Sequence, residues 1–141
     1  MIAPTIDRSA DEAAIRDIIS NLQTAWNSGD GDAFAVPFAA DSDYTVWNGH
    51  YFKGREANAA GHNHIFNTIY KGTTQKMTVR WLRFLSDDVA AVQCDGGTVN
   101  GERDWPQVRP LAVLSKRDGR WEIDIFQNTP IMPQPGSGAP S

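Results

Sequence analysis

Apolar residues recur along the chain at two periods, helical in the first half and alternating in the second. Ala14, Ile15, Ile18, Leu22, Ala25 and Trp26 lie at helical spacing and mark one buried face of a long first helix. Ser9 and Glu12 stand ahead of it in the order of a capping box, and Glu12 and Arg16 make an i,i+4 pair on its wet side. Asn27-Ser28-Gly29-Asp30 ends this helix, and Asp32 is expected to cap a short second one that runs through Phe34 and stops near Pro37. Asp43 to Trp47 read as a strand, Asn48-Gly49 as a two-residue hairpin turn, and Tyr51 to Lys53 as the return strand. A third helix is expected from Gly54-Arg55-Glu56 to about Tyr70. Thr74 to Leu85, Val89 to Thr98, Gln107 to Lys116 and Arg120 to Thr129 then supply four longer strands. Helices first and a meander last predict an α+β fold, with helices covering one face of a curved antiparallel sheet and a pocket between the layers.

Composition narrows the picture. The 141 residues, 40% of them hydrophobic and five of them Trp, suit one domain with a real core. The net charge is −4, and no basic stripe runs along the chain, which argues against a nucleic-acid partner. Cys94 is alone and forms no intrachain disulfide. The first five residues lack the basic and apolar stretches of a secretory leader, and no apolar run approaches the roughly 20 residues that cross a bilayer. A cytoplasmic protein without membrane contact is the expectation. Beyond Pro130, the Pro- and Gly-rich segment from Pro133 to Gly138 has the composition of a flexible terminus.

The third helix holds the sharpest chemical clue. At about 100° per residue, Asn58, Ala59, Ile65, Phe66 and Ile69 all fall within roughly 60° of His62, so this imidazole is centred on the apolar face. His64 points nearly the opposite way, so the two histidines form no metal clip, and no metal site is expected. A buried imidazole is either satisfied by one hydrogen bond or serves as an acid/base or ligand-orienting group. In the last hairpin, a three-residue Arg117-Asp118-Gly119 loop sets Val113 opposite Ile123 and Arg109 opposite Gln127; a two-residue Asp118-Gly119 turn pairs Leu114 with Ile123 and Pro110 with Gln127. The first segregates apolar side chains better and is preferred. It puts Arg109 and Gln127 at a pocket mouth, unless Arg109 merely pairs with an acidic residue at the sheet rim. Asp95 is either an inward carboxylate suited to proton transfer or a solvated rim residue, since Gly96-Gly97 suggests a bulge that flips parity. Trp26, Trp47, Phe66 and Trp81 are candidates to line a pocket for a flat apolar ligand. No dinucleotide, Walker or nucleophile-elbow motif occurs, and no cofactor is expected.

Several short motifs carry a resemblance. They are Ala25-Trp26-Asn27-Ser28-Gly29-Asp30, Phe38-Ala39-Ala40-Asp41, Gly54-Arg55-Glu56-Ala57, Asp118-Gly119-Arg120-Trp121-Glu122-Ile123 and Phe126-Gln127-Asn128-Thr129. In this order the chain resembles the nuclear transport factor 2-like superfamily, which includes SnoaL-like polyketide cyclases and ketosteroid isomerases. It looks most like the SgcJ/EcaC-type group, whose third helix carries a histidine matching His62. The resemblance implies a cone-shaped, cystatin-like sheet with helices on its concave face, in a SnoaL-like domain over residues 9–130 between an arm (1–8) and a tail (131–141). It implies a homodimer through the open sheet face, for which Phe126, Leu114 and Ala112 are expected to be exposed. It also implies a hydrophobic, polyketide-like or aromatic ligand. If the protein is catalytic, the expected chemistry is cofactor-free proton transfer: cyclisation, isomerisation or dehydration. His62 and Asp95 would move protons, and Asn58, Arg109 and Gln127 would orient ligand oxygens. A non-catalytic binding or association module is the alternative. Two departures stand out: Val46 or Trp47 replaces the isomerase aspartate, and Gln127 stands where the group often has histidine.

Overall fold

The two periods fold into the elements they predict. The computed structural model describes residues 7–132. Helix α1 spans Ser9–Asn27 and α2 Gly31–Ala35; strands β1 (Phe38–Thr45) and β2 (Tyr51–Lys53) follow, then helix α3 (Arg55–Phe66). Strands β3 (Gln75–Ser86), β4 (Val89–Thr98), β5 (Val108–Arg117) and β6 (Arg120–Pro130) complete the fold. The expected tail from Pro133 and most of the N-terminal arm lie outside the described residues.

The six strands form one sheet in the order β2-β1-β6-β5-β4-β3. All neighbours are antiparallel except β1 and β6, which run parallel, so the sheet is mixed rather than antiparallel throughout. Register shifts after Val79 and Phe84 in β3, and between β5 and β6, bend it. The helices close over the inner face, and Ile15, Ile19, Leu22, Phe34, Phe38, Val92, Leu114, Ile123 and Phe126 form the core between the layers.

Several local expectations are corrected. Ser9 does not cap α1: Asp7 accepts from the Ser9 backbone N–H at 2.9 Å and from its hydroxyl. Asp30, not Asp32, caps α2, accepting from Ala33 N at 3.0 Å, while Asp32 accepts from the Asn63 amide. The first hairpin has a longer loop than Asn48-Gly49 alone, because Val46 N bonds to His50 O and Gly49 takes the left-handed position at φ 89°. Helix α3 stops four residues early. The side chains of Asn67 and Thr68 donate to the carbonyls of Asn63 and His64, occupying acceptors of the last turn and diverting the backbone into successive turns. Ile69 is therefore outside the helix and 75% exposed.

Next to its turn the last hairpin follows the register set aside, but beyond a bulge it follows neither expectation, with Pro110 opposite Asn128 and Arg109 opposite Thr129. Arg117 pairs with Arg120 and Leu114 with Ile123, across a turn with φ 51° at Asp118 and 77° at Gly119. These left-handed values suit a tight two-residue turn. Asp124 is then skipped, so Val113 faces Ile125 and Leu111 faces Gln127. The extra residue is held outside by the Ser115 hydroxyl and by Arg117 at 2.9 Å. Beyond it the alternation is reset, and Ala112, Leu114 and Phe126 are buried in the core rather than exposed.

Candidate functional site

Helix α3 aims Asn58, His62 and Phe66 at the interior, one turn apart, as the helical angle predicts. His62 is 2% exposed, and its Nδ1 lies 2.9 Å from the Asn58 carbonyl oxygen. A carbonyl only accepts, so Nδ1 carries the proton and Nε2 is left as an acceptor. The ring stacks on Phe34 at 4.0 Å and meets the edges of Tyr44 at 5.2 Å and Trp26 at 6.2 Å, with Phe52 and Phe66 also beside it. Burial in this aromatic shell lowers the imidazole to about 4, against the smaller upward pull of the Asn58 carbonyl. His62 is thus neutral at physiological pH.

Asn58 is 0% exposed, and neither the nitrogen nor the oxygen of its side-chain amide has a hydrogen-bond partner among the described residues, although its backbone carbonyl accepts from His62. Ser42 Oγ and Asn128 Oδ1 are also buried and unpartnered. An orphaned buried polar group costs about 1–3 kcal/mol. Tyr44, on the same face of β1 as Ser42, is buried, and desolvation raises its phenol well above its ordinary value, with Asn128 opposing the rise. Tyr44, Phe34, Ser42 and Asn128 escaped the sequence reading. Alternation along β1 was the available signal, since Ser42 and Tyr44 share its inner face.

The other expected site residues do not join this group. Asp95 lies on the outer face of β4, paired with Arg109 at 3.2 Å and Arg80 at 3.7 Å, so the rim alternative holds for both Asp95 and Arg109. Gln127 is exposed on the outer face of β6, pointing away from His62. Trp81, 42% exposed, donates to Gln93 on the outer face, and Trp47, 48% exposed, sits in the first hairpin loop. Trp26 and Phe66 do reach the interior. Cys94 faces inward, and burial pushes its thiol up to about 12, which leaves it unreactive.

Two surface clefts of the described residues both stop short of His62. One, of about 200 Å³, is lined by Trp26, Phe66, Tyr70, Thr73 and neighbouring backbone. Trp26 and Phe66 touch this cleft on one side and the His62 shell on the other, so a single aromatic layer separates them. The second cleft lies at Lys53–Glu56, on the surface. Neither cleft is the open hollow expected beside His62, where aromatic rings pack against the imidazole.

The motif around Trp26 is structural. Trp26 Nε1 donates to Thr73 at 3.0 Å, and Asn27 grips the Gln75 backbone at both N–H and C=O. Asp30 caps α2, and Gly31 lets α2 approach α3 until its N–H reaches Asn63 Oδ1 at 2.8 Å. No helix among the described residues is long and apolar enough to cross a membrane.

No family model and no curated protein matches the chain. Solved structures do. A domain of unknown function with a cystatin-like fold from Nostoc punctiforme is 32% identical, with a TM-score of 0.82 over 89% of this chain and 80% of that one. An NTF-2 like protein of unknown function from Shewanella oneidensis is 21% identical (TM-score 0.72, 84% of this chain and 98% of that one). A hexachlorocyclohexane dehydrochlorinase is 23% identical (TM-score 0.72, 92% and 97%). The last two share the fold. With the sheet order, the helix layer and the first of these relatives in agreement, the chain belongs to the family of that cystatin-like domain and has the nuclear transport factor 2-like fold.

Proposed function

We propose that the protein binds a hydrophobic, aromatic or polyketide-like small molecule in its interior, with Asn58 and His62 as the polar anchors. The orphaned carboxamide of Asn58 carries this reading: a fully buried side chain with neither end paired is an unfavourable residue unless something pairs with it. The cleft at Trp26, Phe66 and Tyr70 supports an entry route, because Trp26 and Phe66 border both it and the His62 shell. In a catalytic version, His62 Nε2 takes a proton from an acidic C–H or O–H of the substrate, as cofactor-free cyclisation, isomerisation or elimination requires. Asp95 is no partner in that step, since it belongs to the outer ion pairs. A fold shared with a dehydrochlorinase is compatible with such chemistry. The histidine on α3 also supports the finer SgcJ/EcaC-type placement.

The test is native mass spectrometry of the purified protein followed by kinetics on any compound it carries. His62→Gln should cut turnover by about 10²–10⁴ if His62 moves protons, while binding persists. A compound bound equally well by Asn58→Leu would refute the anchoring role.

A non-catalytic association module is the second reading, favoured by the outer sheet face, where Trp81, Leu111, Val113 and Ile125 form a partly exposed apolar row. A homodimer through that row buries it. Ile125→Glu should then convert a dimer to a monomer in light scattering, and a wild-type monomer would refute the pairing.

A further inference from the structure

The interior polar group has a definite electrical character, and it constrains what can bind. The buried polar residues are Ser42, Asn58 and His62, and no Asp, Glu, Lys or Arg among the described residues is buried with them. The charged side chains instead pair at the periphery: Asp95 with Arg80 and Arg109, Asp124 with Arg117, Asp11 with Lys116, and Asp43 with Lys53. Asn58 offers an unused donor and an unused acceptor side by side. His62, donating its Nδ1–H to the Asn58 backbone carbonyl, offers an acceptor at Nε2. The walls are the rings of Phe34, Phe52, Phe66 and Tyr44.

Resting on the interior-binding reading above, we propose that the site selects an uncharged ligand whose polar end both donates and accepts, such as a carboxamide or an enolised hydroxy-carbonyl group on an aromatic ring. A carboxylate would satisfy the Asn58 amide N–H but face its carbonyl oxygen and the His62 lone pair with no proton to give. An amidinium or ammonium would reverse the mismatch, leaving the Asn58 N–H groups unpaired. Either ion would also leave water with no opposite charge to meet it, and burying an unpaired ion is far costlier than burying a neutral amide. A neutral amide meets Asn58 in the two-point manner of a paired peptide and has a second N–H for His62 Nε2.

An isosteric series isolates charge from shape. Benzamide, benzoate and benzamidinium are titrated at pH 7.5 into the wild-type protein, following the Asn58 side-chain amide and the His62 ring by NMR so that binding at the Lys53–Glu56 surface is not counted. Benzamide should shift both signals, with benzoate and benzamidinium at least tenfold weaker there, and Asn58→Leu should abolish the benzamide effect. Benzoate or benzamidinium binding at these signals as tightly as benzamide overturns the selectivity but leaves the interior site standing. If none of the three moves either signal, both the selectivity and the interior-binding reading fall. Ordered water alone on Asn58 in a crystal soaked with benzamide has the same consequence.

Discussion

Replacing His62 by Gln should remove a defined part of the protein's acid sensitivity. The imidazole is held at about 4 in the folded chain by desolvation, against 6.5 when exposed in the unfolded chain. Between those values the unfolded state binds a proton that the folded state refuses, so stability falls as pH drops. The contribution is complete above pH 6.5 and is lost progressively down to about pH 4. Each unit is worth about 1.4 kcal/mol, which makes the whole span about 3 kcal/mol and the part lost by pH 5 about 2 kcal/mol. The rings packed around His62 include one titratable group, Tyr44, whose phenol is raised and stays neutral throughout this window. Carboxylates elsewhere titrate alike in both proteins and cancel in the comparison. Urea unfolding of wild type and His62→Gln at pH 7.5, 6.0 and 5.0 measures the difference directly. The gap between the two should change by about 2 kcal/mol over this range, with wild type losing more. Parallel curves would mean that the imidazole is solvated or protonated in the folded protein, and the aromatic burial of His62 would be refuted.

Three other changes probe the packing. Gly31→Ala would place a methyl 2.5 Å from Asn63 N and 2.7 Å from the Ala59 carbonyl, atoms of α3 that cannot retreat singly; a loss of roughly 2–3 kcal/mol is expected in denaturant melts. Asn27→Ala removes both bonds to Gln75 and should cost about 1–2 kcal/mol, with faster amide exchange at Gln75. Asn58→Leu should raise unliganded stability by roughly 1–2 kcal/mol, because two orphaned polar atoms leave the interior; a lower melting temperature would show that Asn58 already has its partners.

The long strands were legible because a two-residue period survives over ten or more positions, and β3 to β6 begin and end within a residue of expectation. The inward aim of Asn58 and His62 was legible for the same reason, since a helix fixes relative direction over two turns from local geometry alone. Arg109, Gln127, Asp95 and Trp81 were different. Gln127 follows the residue inserted at Asp124, stabilised by Ser115 and Arg117, and Trp81 follows the register shift after Val79, features that no local pattern displays. Asp95 and Arg109 sit in regular pairing, and their outward direction is set by which alternate residues of β4 and β5 meet the helices. The start of β1 at Phe38 was missed because its pairing partner, Ile123, lies 85 residues away, and burial there comes from β6. The aromatic packing beside His62 was equally hidden: Phe34 reaches the imidazole only once α2 has packed on α3 through Gly31.

The grip of Asn27 on Gln75 has a consequence for behaviour at high concentration. Strand β3 is one margin of the sheet, and such a margin ordinarily offers unpaired N–H and C=O groups on which a foreign strand can grow. Here Asn27 engages both groups of Gln75, and Gln23 engages the N–H of Met77 at 2.8 Å. Farther along, Arg80 and Arg83 put positive charge on the same strand. The first helix therefore acts as a chemical selvedge, finishing the cut side of the fabric and denying fibril growth its starting thread.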